Sequence, residues 1–217
     1  MPADQPTDAF VEFSTNLDYA RNLVNGGRSL ERLQVGAFDY TDVYRAALVQ
    51  GVAAFDHWLF REAVQRAVLL IQRPNVPRPG KFNDITLTVK QFEAVHHHGV
   101  PLDEEFRARA EDFFAGKLSP NPSKIRDSFT YLRTGSIWPD VAKELTSHRD
   151  DGTQITPNQV TERLDEIVKR RNAIAHQSDK DPVNPGHKSP ITSRHVADSI
   201  DWIELIAAAM LRVLDAP

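Results

Sequence analysis

With 217 residues, 41% of them hydrophobic and 26% charged, the chain has the composition of a globular protein large enough for one substantial core. It contains no cysteine, which excludes disulfides and thiolate chemistry and fits a reducing, cytoplasmic setting. A net charge of −4 excludes a surface that grips nucleic acid everywhere, so any such contact must rest on a local basic patch.

The opening MPADQPTDAF has neither a basic region nor an apolar run, so no signal peptide is expected. No apolar stretch approaches the roughly 20 residues that span a bilayer. From about Asp8 to Val24, apolar residues recur at steps of three and four (Phe10, Phe13, Leu17, Ala20, Val24), the pattern of one helical face. Asn25-Gly26-Gly27 reads as its stop. The strongest helix spans about Thr41 to Gln72, with Leu48, Val52, Phe55, Leu59, Ala63, Ala67 and Leu70 in one stripe that further apolar residues widen. A helix so apolar around its circumference is expected to be central, and Pro74 lies just beyond its end.

Arg73 to Thr88 reads as a loop, with Ile85 to Val89 briefly extended. Shorter helices follow. Thr88 with Gln91 forms a capping-box pattern, and Phe106, Ala110 and Phe113 share one face. Asn121-Pro122 supplies a cap and a first-turn proline, and Ile137 to Leu145 gives one more short helix, broken locally by Pro139. The last long helix runs from about Thr192 to Leu214, with Val196, Ile200, Ile203, Ala207, Met210 and Leu214 inward. The expectation is one all-α domain over residues 1–217, an antiparallel helical bundle carrying a looser insertion over 73–151.

Between the insertion and that last helix lies TPNQVTERLDEIVKRRNAIAH, Thr156 to His176. Thr156 is a good N-cap, Pro157 fits the first helical position, and Gln159 completes a capping box. The apolar face runs Val160, Leu164, Ile167 and Val168, and the next inward positions are Arg171 and Asn172. An arginine taken out of water there needs acceptor partners to offset its desolvation. Asn172 and His176 are four residues apart on one face. Arg171 and His176 are five apart, about 140° round a regular helix, and converge only through the long arginine side chain or a local change near the helix end.

The residue types fit phosphodiester chemistry. Histidine moves protons near neutral pH, arginine holds a phosphate through a charged fork of donors, and asparagine can orient either. Together they suit RNA cleavage by attack of the ribose 2′-hydroxyl on the adjacent phosphate, with neither metal nor cofactor called for. Such cleavage uses one base and one acid, which two copies across a two-fold axis would supply.

The stretch RLDEIVKRRNAIAH resembles the signature of the HEPN superfamily: an arginine, four to six residues, then a histidine, often with a polar residue after the arginine. Arg171, Asn172 and His176 match it, and the surrounding LDEIVKRRNAIAH is most similar to the RiboL-PSP-HEPN branch. The resemblance also takes in the long helices at about 40–72 and 192–214. It implies a helical bundle, frequent dimerisation and metal-independent endoribonuclease activity in toxin–antitoxin or antiviral settings. The expected partners are RNA, a second copy of the chain, and an antitoxin or defence-system protein. Gly135-Ser136 lacks the Asp-x-Asp pair of the nucleotidyltransferases that accompany such proteins, and reads as a turn.

The expected site is therefore Arg171, Asn172 and His176 for catalysis, Arg170 and Lys169 for substrate binding, and Asp56 as support for Arg171 from the central helix. Two other readings of the cluster stand beside it: a non-catalytic RNA- or nucleotide-binding module, and a polar helix end at an interaction interface. Glu162, Asp165 and Glu166 make a solvated charged face as good an account of Lys169 and Arg170 as RNA contact. The run His96-His97-His98 cannot chelate one ion from a regular helix, because consecutive side chains point about 100° apart. Trp138 and Trp202 read as packing.

Overall fold

The computed structural model of the chain describes residues 7–34, 39–149, 152–184 and 186–215. The initial MPADQP and Asp151, the far boundary of the expected insertion, lie outside them. The described residues form eight α-helices and one 3-10 turn, with no strand: an all-α fold, as expected. The helices are α1 Asp8–Arg32, α2 Thr41–Gln72, α3 Val89–His98, α4 Leu102–Ala115, α5 Pro122–Phe129, α6 Trp138–Ser147, α7 Pro157–Gln177 and α8 Ser193–Asp215. Contacts group the chain into two compact units, one of Met1–His57 with Trp138–Pro217, the other of Trp58–Ile137.

In the first unit, α8 packs on α1, α6 and α7, and α6 packs on α7. Its core draws Phe13 and Leu17 from α1, Leu48, Val52 and Phe55 from α2, Val141 from α6, Val160 and Leu164 from α7, and Ile200, Ile203 and Met210 from α8. These are the residues whose three-and-four spacing marks an inward face, and each is 1% exposed or less. Trp138 and Trp202 are buried too, the latter beneath the guanidinium of Arg163 at 4.4 Å.

The end of α1 differs from the sequence expectation. The helix does not stop at Asn25-Gly26-Gly27 but continues to Arg32. Gly27 is buried, and a Cβ there would run into the ring of Tyr44. Glycine here serves close packing and not termination, at a helix-propensity cost of about 1 kcal/mol. Tyr44 then donates its hydroxyl to Glu31 Oε2 at 2.8 Å, one turn further along α1. The expected break at Pro139 is likewise absent. Pro139 occupies the first turn of α6, where a missing N–H breaks no helical hydrogen bond.

In the second unit, Phe82, Phe106, Phe113, Phe114, Ile125 and Phe129 are buried. Phe82 lies on Phe106 at 5.7 Å between ring centroids, and Phe113 meets Tyr131 edge-on at 4.9 Å. The caps read from the sequence are formed: Thr88 and Gln91 close a capping box on α3, and Asn121 caps α5 ahead of Pro122. The stretch expected to be briefly extended follows a 3-10 turn at Gly80–Asp84; Thr88 is extended (φ −73°, ψ 161°), and Val89 already belongs to α3.

Candidate functional site

Helix α7 begins as its sequence dictates. Thr156 Oγ1 accepts from the Gln159 backbone N–H at 3.3 Å, while Gln159 Oε1 accepts from the Thr156 N–H at 2.8 Å. Val160, Leu164, Ile167 and Val168 are buried along its inner face. One turn on, that face reaches Arg171, whose side chain is only 19% exposed. The helix stays regular through Gln177 and ends on two successive left-handed residues, Ser178 (φ 55°) and Asp179 (φ 53°). The N–H groups of both turn back to the Ala173 carbonyl. The change of direction thus falls after His176, and the helix brings Arg171 and His176 no closer than its regular repeat allows.

Arg171 faces α2. Its Nη2 lies 4.0 Å from Asp56 Oδ2, and its Nη1 donates to Asn172 Oδ1 at 3.1 Å. Its Nε is buried and has no hydrogen-bond partner among the described residues. The Asp56 side chain is 44% exposed, so an ion pair at this range contributes little, at most about 1 kcal/mol. Burial pushes the Asp56 carboxyl above its ordinary value, against the opposing pull of Arg171 and His57. The guanidinium is therefore largely withdrawn from water yet poorly paired. Of its five N–H donors only one makes a hydrogen bond among the described residues, so it has donors to spare for further acceptor oxygens.

Asn172 and His176 are both exposed. The Asn172 carbonyl oxygen serves Arg171, and no hydrogen bond or ion pair is made by His176 among the described residues. Lys169 is exposed and pairs with Asp165 at 2.7 Å, a contact that raises its pKa. Arg170 turns the other way. Its Nη2 donates to Asp179 Oδ2 at 2.9 Å and to the carbonyls of Ser189 at 3.0 Å and Pro190 at 3.2 Å. The structure thus brings together Arg171, Asn172 and Asp56, leaves His176 and Lys169 at the surface, and commits Arg170 to the loop after α7.

That loop is held by residues the sequence reading passed over. Arg45 of α2, 7% exposed at its side chain, donates from Nε to Asp179 Oδ2 at 2.6 Å and from Nη2 to the Ser189 carbonyl at 2.9 Å. Its Nη1 donates to Thr41 Oγ1 at 2.6 Å and Asp42 Oδ1 at 3.1 Å. Lys188 grips both oxygens of Asp42, at 2.6 and 2.7 Å. Asp179 is 1% exposed, so two arginines and one aspartate form a buried clamp that fixes the exit of α7. One signal was present in the sequence: Arg45 sits three residues before Leu48 on the apolar stripe, where a charge demands a buried partner.

Among the described residues no group of three His, Cys, Asp or Glu side chains is placed to hold a metal ion. No helix there is long and apolar enough to cross a membrane. The family model described as RiboL-PSP-HEPN matches residues 83–216, which takes in α7 with its Arg171–His176 motif and α8. Neither a curated protein nor a solved structure gives a match. The RiboL-PSP-HEPN match spans more than half of the chain and contains the motif whose geometry is set out above, and the chain belongs to that family.

Proposed function

We propose that this HEPN module is a metal-independent endoribonuclease that works as a homodimer, of the kind used in toxin–antitoxin or antiviral defence. The observation that supports it most is the state of Arg171: mostly buried, held to Asp56 only at 4.0 Å, with a donor left unsatisfied. An incoming phosphodiester supplies acceptors to the Nη groups, which Asp56 and Asn172 engage only in part. Arg171 then binds the scissile phosphate and offsets the charge that builds on it as the 2′-oxygen attacks.

His176 carries the proton chemistry. One imidazole takes the 2′-hydroxyl proton, a second delivers a proton to the departing 5′-oxygen, and the products are a 2′,3′-cyclic phosphate and a 5′-hydroxyl. Because α7 is regular, Arg171 and His176 of one copy diverge, and a two-fold arrangement of two α7 helices supplies both histidines to one phosphate. Asn172 holds Arg171 in place through its side-chain oxygen. Lys169 offers a surface charge for the flanking RNA backbone, whereas Arg170 serves the fold before it serves the substrate.

The test is incubation of the purified protein with RNA in EDTA. Wild-type protein should cut and leave cyclic phosphate ends, His176→Ala should not, and the native mass should be that of a dimer. Equal cutting by His176→Ala, or a strict monomer that cuts, removes this mechanism. The exposure of His176 without an orienting partner also favours a second reading, RNA binding without cleavage. Binding that is lost in Arg171→Ala while no RNA is cut would establish it.

A further inference from the structure

Several surface cations of this protein hold a carboxylate: Arg21, Lys169, Lys188 and Arg212 each reach one within 2.7 Å. Lys81, Arg109 and Lys117, in the second unit, break that pattern. None of them makes an ion pair among the described residues, although Lys81 and Lys117 are exposed and Arg109 is partly so. They gather on two aromatic rings. Lys117 Nζ stands 3.7 Å from the centre of the Phe113 ring and the Arg109 guanidinium carbon 5.8 Å from it. Lys81 Nζ stands 5.8 Å from the centre of the Tyr131 ring, and the two rings are 4.9 Å apart.

The local sequence builds this cluster. Arg109, Phe113 and Lys117 follow one another at steps of four along α4 and the turn that ends it, so they share one face. Gly116 caps α4 with right-handed backbone, and the Lys117 N–H bonds back to the Phe114 carbonyl at 3.0 Å. Glu111 and Asp112 lie about 160° and 100° round the helix from Phe113. Lys81 sits in the 3-10 turn, which is anchored by its neighbour Phe82, buried on Phe106. Arg109 donates from Nε to the Thr86 carbonyl at 2.7 Å, and its Nη groups make no hydrogen bond among the described residues. Neither does the hydroxyl of half-buried Tyr131.

Like charges gathered on adjacent rings repel one another, and the negative ring faces offset that only in part. An anion from outside completes the balance. Composition points the same way: Trp58–Ile137 holds 12 Lys and Arg against nine Asp and Glu, whereas the rest of the chain holds 14 against 21. A chain of net charge −4 needs a local basic patch to hold nucleic acid, and this unit carries the excess of positive charge. The ammonium and Nη groups suit phosphate oxygens, and Tyr131 adds an unbonded hydroxyl and a ring edge for sugar or base. We infer that Lys81, Arg109, Lys117 and Tyr131 form a contact surface for the backbone of single-stranded RNA, which reads charge and not sequence. The surface rests on the reading of RNA as substrate, and it adds affinity without entering the chemistry.

The test is binding of mixed-sequence single-stranded RNA by the full chain, in the non-cutting His176→Ala background, at a series of salt concentrations. For a single strand, the logarithm of affinity falls with the logarithm of salt by about 0.7 for each phosphate neutralised. Lys81→Gln with Lys117→Gln should therefore lower that slope by about 1.4 and weaken binding about tenfold at low salt, and Arg109→Gln should remove about 0.7 more. Lys81→Arg with Lys117→Arg keeps both charges and should keep the slope. An unchanged slope in the glutamine pair, an equal loss in the arginine pair, or no RNA binding at all would overturn the surface. Polyglutamate that displaces the RNA as well as unlabelled RNA does would mark a docking site for an acidic protein, and overturn the RNA assignment. If the chain with His176 intact cuts RNA while the glutamine pair leaves the slope unchanged, the nuclease stands and the surface falls. If the slope falls as expected in a protein that never cuts, the surface stands and the nuclease falls.

Discussion

Arg170 and Arg171 are adjacent in the chain and about 100° apart on the helix, and they end in opposite circumstances. Arg170 meets a fully buried carboxylate and two backbone carbonyls, all within 3.2 Å. Arg171 meets one side-chain amide and a half-exposed carboxylate at 4.0 Å, and leaves a buried donor empty. Spelling does not separate a structural arginine from an available one. What separates them is where the next acceptors lie, and on α7 those acceptors belong to the loop that follows.

The largest effect should come from removing the anion of the clamp. Asp179→Ala removes the carboxylate that Arg45 and Arg170 share, leaving Arg45, at 7% exposure, only its Nη1 contacts to Asp42 and Asp39 as ion pairs among the described residues. Breaking a buried pair of this kind costs about 3 to 5 kcal/mol, which urea denaturation would register as a large fall in midpoint. A loss below 1 kcal/mol would mean that the clamp contributes nothing to the fold, and the contrast between the two arginines would disappear.

His176→Ala should invert that pattern. The side chain is exposed and makes no pair among the described residues, so stability should stay within about 0.5 kcal/mol. Cleavage should fall by about a hundredfold or more, the usual contribution of a general acid or base. Single-turnover cutting and thermal melting on the same preparation separate the two effects.

The arginine pair itself gives the sharpest comparison. Arg170→Ala should cost about 1.5 to 3 kcal/mol, the range for hydrogen bonds to a charged group, with Arg45 still holding Asp179. Arg171→Ala should cost about 1 kcal/mol or less, since little pairing is lost and an unsatisfied donor is removed, yet it should abolish cleavage or RNA binding. The reverse order of stabilities would exchange the roles of the two residues.

Much of this frame was legible in the sequence because helix caps and apolar stripes are local. Thr156 with Gln159, Thr88 with Gln91, and Asn121 before Pro122 each form the cap their spacing predicts. The inward turn of Arg171 followed from Val160, Leu164 and Val168 by counting. Two things were not local. Gly26-Gly27 has the composition of a helix stop, and only the ring of Tyr44 packed on Gly27 reveals its other use. Asp179 looks like one polar residue in a loop, and its value depends on Arg45, 134 positions earlier in the chain. A pattern read along one helix cannot see a partner supplied by another.

The smallest effect lies at Asp56, and its sign tests how loosely Arg171 is held. Burial raises the Asp56 pKa from 3.8, with Arg171 and His57 lowering it less than burial raises it. Between the ordinary carboxylate value and the raised one, the folded protein therefore binds more protons than the unfolded chain. By linkage its stability falls as pH rises through that window and is flat on either side. Asp56→Asn removes the ionisation, so the variant should match wild type below the ordinary value and be slightly more stable above the raised one. Measured as the urea midpoint at a series of pH values, the gap should be small because the side chain is 44% exposed. If instead Asp56→Asn loses stability as pH rises, the Asp56–Arg171 pair is tight and favourable. Arg171 would then be a second structural arginine, its guanidinium no more available to a phosphate than that of Arg170.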